Sequence, residues 1–200
     1  MIKNIILKSI NQLKGKIIKL AVITFIMTAL NMVGSLIPIL NLFITPLISF
    51  SIVLLYYKLA TSDYTPDIGD VFGGLKNLSG AMRVVLANSI FIVLWGLLFI
   101  IPGLIKAYSY SQALYILAEN PEIGGREALE KSSNMMRGHK FELFLLQMLF
   151  IVPVFVAIIV IAFAIRNFLL PLMLFPIFSF FLNLLMTNYY LEISVSFSSG

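Results

Sequence analysis

The chain has 200 residues, of which 60% are hydrophobic and only 12% charged, and its mean hydropathy is +1.01. A soluble globule of this size has no polar exterior to hide so much apolar surface behind, which excludes an ordinary cytosolic enzyme, a nucleic-acid reader and a disordered tail and leaves an integral membrane protein. Fourteen Lys and Arg against nine Asp and Glu give a net charge of +5, with no Cys and one His, so disulfides, thiolate metal sites, a Cys nucleophile and zinc motifs built on paired His are excluded as well.

The chain opens on an amphipathic segment. Ile2, Ile5, Ile6, Ile10, Leu13 and Ile17 share one helical face, and Lys3, Lys8, Asn11, Gln12 and Lys14 the other. The apolar run that follows is too long for a signal peptide and has no A-x-A site, so it is expected to be retained. Between Lys19 and Lys58 lie 38 uncharged residues. As one helix they would measure about 57 Å, nearly twice a hydrocarbon core of about 30 Å. The run must fold back, and Pro38, Asn41 and Pro46 mark the bend between helices near 18–37 and 44–60.

A second amphipathic stretch carries Ile68, Val71, Phe72, Leu75, Leu78 and Met82 at helical spacing. Apolar helices near 82–101 and 104–119 follow, separated at Ile101-Pro102-Gly103. A third amphipathic stretch, with Ala128, Leu129, Met135 and Met136 aligned, runs from Arg126 to Arg137. The runs 143–165 and 168–191 come next, with a tight turn at Arg166-Asn167 and kinks expected at Pro153, Pro171 and Pro176.

These segments predict an all-α polytopic transmembrane helix bundle. It has about six crossings in three hairpins, each preceded by an amphipathic interfacial helix. The whole chain, 1–200, reads as a single membrane domain with hairpin units near 1–61, 62–119 and 120–200. Each amphipathic helix is followed by a glycine, at Gly15, Gly80 and Gly138, suited to the left-handed conformation beyond a helix end. Pro38 follows Gly15, and Pro102 follows Gly80, at nearly equal distance, as in an internal repeat. The third unit lacks an equivalent proline.

Charge sets the orientation. With both termini in the cytoplasm, Lys3, Lys8, Lys14, Lys16, Lys19, Lys58, Lys76, Arg83, Arg126, Lys131, Arg137 and Lys140 lie inside. Only Lys106 and Arg166 lie outside. That is the positive-inside pattern, and it assigns the basic character to the bilayer rather than to nucleic acid.

Residues 101–148 carry a run of motifs: Ile101-Pro102-Gly103, Lys106 to Ser111, Tyr115-Ile116-Leu117, Asn120-Pro121, and Ser133 through Met136-Arg137-Gly138-His139-Lys140. Together they resemble a bacterial integral membrane family of unknown function, domain of unknown function 975. The resemblance covers most of the chain. It departs from the expected pattern at Gly124-Gly125, where a helix-capping Ser is anticipated, and at the Ser-rich stretch 194–200. It implies a multi-pass cell-membrane protein and no particular reaction.

Two groups of residues stand out as candidate sites. The crossing 104–119 is the most polar, with Tyr108, Ser111, Gln112 and Tyr115 on one side and Lys106 at its outer end. Polar groups in hydrocarbon must find partners, so this face should point into the bundle, as a solute pathway or as interhelical hydrogen bonding. The amides Asn31, Asn88, Gln147, Asn183 and Asn188 are further polar points, able to converge with Gln112 or to clamp helix pairs. Arg137, His139 and Lys140, where an amphipathic helix meets a crossing, are placed to meet anionic lipid headgroups. No Asp or Glu lies deep in a crossing, which weighs against proton-coupled transport and intramembrane hydrolysis. No catalytic residue, metal or cofactor is expected. The expected partners are the lipid bilayer with its anionic headgroups and a membrane protein or a second copy of the chain.

Overall fold

In the computed structural model the backbone is described for residues 2–98, 100–165 and 169–198, and the side chains for 3–97, 101–160 and 179–198. The described residues are helical, with helices α1 (Ile2–Leu13), α2 (Ile17–Ser35), α3 (Pro38–Thr61), a 3-10 helix (Ile68–Asn77), α4 (Leu78–Leu98), α5 (Ile100–Tyr110), α6 (Ala113–Glu119), α7 (Gly125–Met135), α8 (Lys140–Ile165) and α9 (Leu169–Ser198). Among the described residues four stretches are long and apolar enough to cross a membrane: Ile17–Ser35, Pro38–Thr61, Ile68–Leu97 and Lys140–Val160. The turn expected at Arg166-Asn167 lies outside the described residues.

The fold-back of the first long run is tighter than its prolines suggest. α2 ends at Ser35 and α3 begins at Pro38. Pro38 occupies the first helical turn, where a missing N–H costs nothing, and Pro46 lies inside α3. Pro102 likewise falls in the first turn of α5, so Ile101-Pro102-Gly103, expected as a break, is helical.

Gly15 and Gly138 adopt φ of +75° and +83°, the left-handed turn anticipated after α1 and α7. Gly80 does not. It sits inside α4, and its N–H donates to Asn77 Oδ1 at 3.0 Å, so Asn77 caps the start of α4. The 3-10 helix therefore runs straight into α4. The first and third units share an amphipathic helix, a left-handed glycine and a long apolar helix, and the second departs from that plan.

The 3-10 segment is fixed by its cap and by its docking on α3. Asp67 and Asp70 form a reciprocal capping box at its start. Farther along, the Gly74 N–H donates to Ser51 Oγ of α3 at 2.7 Å. A Cβ at Gly74 would run into the Leu47 carbonyl, so only glycine allows this segment to lie flush on α3. Val71 and Gly74 are buried, while Ile68, Phe72 and Leu75 face outward.

α1 buries Ile5, Ser9 and Leu13 and exposes Ile10. Its inward face is turned from the one expected because Asn188 of α9 donates to Ser9 Oγ (3.0 Å) and Gln12 Oε1 (2.8 Å). Gln12, expected on the solvent side, also donates to the Ala60 carbonyl. Among the described residues two hydrophobic clusters form the interior. One gathers side chains of α5 to α9 with the inner faces of α3 and α4, and the other is built from α2, α3 and the middle of α9.

Candidate functional site

The crossing expected over 104–119 is two helices. α5 ends at Tyr110 and α6 begins at Ala113, with a turn at Ser111-Gln112. A break in an apolar helix frees backbone groups that need partners. Ser132 of α7, fully buried, supplies them: its Oγ donates to the Ser109 carbonyl at 2.8 Å and accepts from the Gln112 N–H at 3.2 Å. Ser132 shares a helical face with Ala128, Leu129 and Met135, so α7 turns this face toward the α5–α6 break. Its first residue, Gly125, lies so close to α4 that a Cβ would come within 2.8 Å of Arg83 backbone atoms. That approach accounts for the glycine at the first helical position, 125. Gly124 takes the N-cap position in extended conformation.

The residues of the expected polar face take separate partners. Tyr108 donates to Gln147 Oε1 of α8 at 2.9 Å and meets Phe144 edge-on. Ser111 donates to the Tyr108 carbonyl and accepts from Gln112 Nε2. Gln112 is fully buried, and its Oε1 has no hydrogen-bond partner among the described residues. Tyr115, beyond the break, accepts from Thr187 of α9 at 3.2 Å and stacks on Tyr190. Lys106 sits over the rings of Trp95 and Tyr110, with its Nζ 5.1 and 5.5 Å from their centroids, a cation–π arrangement at the α4–α5 end of the bundle. The amides do not converge. Gln147 joins α8 to α5 and Asn188 joins α9 to α1, while Asn183 donates to its own helix at Ser179.

A carboxylate that pattern reading passed over gathers three helices. Glu119, the last residue of α6, accepts from Tyr190 of α9 at 2.6 Å and from Tyr57 of α3 at 3.0 Å, one phenol on each oxygen. Its only signal in the sequence is its position as the first acid after a long uncharged stretch, immediately before Asn120-Pro121.

At the expected headgroup site, His139 Nδ1 lies 2.9 Å from Glu142 Oε2, and its carbonyl accepts from the Tyr189 hydroxyl. Arg137 is exposed and Lys140 half-buried. The left-handed Gly138 between them sets the angle at which α8 leaves α7.

A further polar cluster closes the lower end of α3. Asp70 is buried and accepts from Tyr64 at 2.9 Å, from the Asp67 N–H and from Lys58 at 3.3 Å. Burial first, and the Asp70 hydrogen bond second, push the Tyr64 phenol up to about 12. Nearby, Lys16 pairs with Asp63 at 2.8 Å and holds that exposed carboxyl below its usual range.

A family model described as a protein of unknown function, DUF975, matches residues 97–197. The chain belongs to the DUF975 family. The DUF975 match takes in the α5–α6 break, Ser132, Glu119 and the two phenols of α9, and begins in the last turn of α4. No curated protein and no solved structure matches the chain.

Proposed function

We propose that this DUF975 protein is a multi-pass protein of the bacterial cell membrane, without catalytic machinery, that acts through lipids or membrane-protein partners in envelope homeostasis or self-protection. In this reading the chain crosses six times in three hairpins, with both termini cytoplasmic. α1, the 3-10 segment and α7 lie toward the cytoplasmic headgroups. The observation that carries it is the use of the polar groups. Tyr108, Gln147, Tyr115 and Thr187 are spent on bonds between helices, while large apolar side chains such as Ile18, Leu97 and Val160 face outward. Interhelical bonding of this kind is how membrane bundles satisfy isolated polar residues.

Arg126, Lys131 and Arg137 are exposed and Lys140 half-exposed, which suits contact with anionic headgroups at about 1 kcal/mol per charge. Reversing all four to Glu should strip co-purifying anionic phospholipid from the detergent-extracted protein, as measured by lipid mass spectrometry. An unchanged lipid complement sinks the lipid part of the proposal. The orientation is tested by Lys131→Cys, since the chain has no cysteine of its own. An impermeant maleimide should fail to label it in intact cells.

One observation favours a second reading, a transporter for a small or lipophilic solute. A discontinuous helix with an unpartnered buried amide oxygen, Gln112 Oε1, is the kind of feature that marks transporter binding sites. In that case Gln112→Leu abolishes solute flux in vesicles without lowering thermal stability.

A further inference from the structure

Two buried carboxamide oxygens lie at the level of the α5–α6 break, and no described residue donates to either. Gln112 is fully buried. The Ser111 hydroxyl gives its hydrogen to the Tyr108 carbonyl, so Gln112 donates to Ser111 Oγ through Nε2. That fixes the orientation of the amide and leaves Oε1 as an acceptor without a donor. Asn88 Oδ1 of α4 is likewise buried and without a partner among the described residues.

The antiparallel register of α4 and α5 sets the two oxygens at one height. Gly96 abuts Gly103, Lys106 lies over Trp95, and Phe91 meets Tyr110 with 5.9 Å between ring centroids. Each successive pair is nearer the start of α4 and the end of α5. Trp95, Phe91 and Asn88 follow one side of α4 at steps of four and three, so the next turn brings Asn88 to Gln112. A third buried oxygen of this kind, Asn188 Oδ1, belongs instead to the contact of α9 with α1.

The end of α5 adds an independent observation. A helix C-terminus carries partial negative charge, and the last turn of α5 holds no basic residue. Lys106, the one charge on α5, is committed to the rings of Trp95 and Tyr110. Acceptors in excess beside a negative helix end call for a cationic guest. No group of acids or histidines able to hold a metal is present among the described residues, and divalent ions of the calcium type are held through carboxylates.

We infer that the α5–α6 break binds one monovalent metal ion, sodium or potassium, between Gln112 Oε1 and Asn88 Oδ1. Interrupted membrane helices hold such ions through neutral oxygens and helix C-terminal ends. The site goes beyond both functional readings and stands whether or not the chain moves a solute.

The test uses the full chain in detergent at constant ionic strength, with sodium, potassium or choline as the chloride salt. The melting temperature is read from Trp95, the single tryptophan. Sodium or potassium should raise it saturably, by about 5–10 °C at a hundredfold excess over half-saturation, and choline should not. Gln112→Leu and Asn88→Leu should each raise the half-saturating concentration about tenfold or more, as for loss of one oxygen from a charged ligand. Asn88→Asp keeps the oxygen and adds a charge, so it should lower that concentration, and it decides the matter if leucine at 112 prevents folding. An equal response to all three salts, a response unchanged in the leucine variants, or no tightening in Asn88→Asp overturns the inference. A parent protein indifferent to sodium and potassium does so as well, and means that water alone meets the two oxygens. Solute flux in vesicles separates the site from the transporter reading: no flux with the ion response intact counts against transport alone, and loss of the ion response removes the site alone.

Discussion

The Tyr190 hydroxyl donates to Glu119 Oε2 at 2.6 Å, joining helices whose sequence positions differ by 71. Tyr57 occupies the other oxygen, so α3, α6 and α9 meet at one carboxylate. Hydrogen bonds to a charged acceptor are worth about 1.5–3 kcal/mol when buried, and less here because Glu119 retains exposure. Glu119→Ala should lower stability by about 1–3 kcal/mol, read as a drop in melting temperature through the fluorescence of the single tryptophan, Trp95. Tyr57→Phe and Tyr190→Phe should each cost less, and in the Glu119→Ala background neither should cost anything from this contact. Full additivity of the three would show that the carboxylate is not the shared anchor.

Ser132 holds the α5–α6 break closed by bridging the Ser109 carbonyl and the Gln112 N–H. Ser132→Ala leaves both groups buried and short of a partner, at about 1–3 kcal/mol. Ser132→Thr keeps the hydroxyl and should recover most of that loss if the added methyl finds room. Hydrogen exchange at Gln112 gives the local readout. An amide no faster in Ser132→Ala than in the parent protein rules the bridge out as the support of the break.

Charge and apolar length made most of the helices legible, because Lys19, Lys58, Arg83 and Lys140 punctuate runs too long or too apolar for other arrangements. What the sequence hid was tertiary in origin. No Gly or Pro stands at Ser111-Gln112, and the break there depends on a serine 20 positions away. The apolar spacing of Ile68, Val71, Phe72 and Leu75 suits an α-helix as well as a 3-10 helix, and the docking of Gly74 on Ser51 decides between them. Gly80 has the composition of a helix end but is overridden by Asn77, whose side chain also donates to the Pro121 carbonyl. Tyr108, Ser111, Gln112 and Tyr115 share a face only on an unbroken helix, so their separate partners follow from the same break.

The glycines sort by what a methyl group would meet. Gly125→Ala would press on the Arg83 backbone and Gly74→Ala on the Leu47 carbonyl. Neither neighbour is the flexible end of a side chain, so each substitution should cost about 1–3 kcal/mol or more. Gly138→Ala meets open space but keeps φ at +83°, and should cost about 1 kcal/mol from backbone strain alone. Gly96→Ala also meets open space, inside α4, and should be neutral or stabilising by up to about 1 kcal/mol. A thermal-shift series in one detergent checks the order, and a Gly125→Ala protein as stable as Gly96→Ala would contradict the close packing of α7 on α4.

The Tyr64–Asp70 contact predicts a loss of stability in alkali. The phenol titrates at about 12 in the fold against 10.0 for an ordinary tyrosine, so the folded state favours the neutral form. The resulting stabilisation is fully present below pH 10 and is lost as pH rises toward 12. Asp63 works in the opposite direction: its carboxyl is depressed by Lys16, so its contribution holds above the usual carboxylate range and fades in acid. Asp63 is fully exposed, and only the alkaline effect should be measurable. Melting temperatures of the parent protein and of Tyr64→Phe, taken from pH 9 to pH 12, isolate it from the other tyrosines and from lysine. The parent should fall more steeply than Tyr64→Phe across that window, and parallel curves would mean that Asp70 does not hold the phenol neutral.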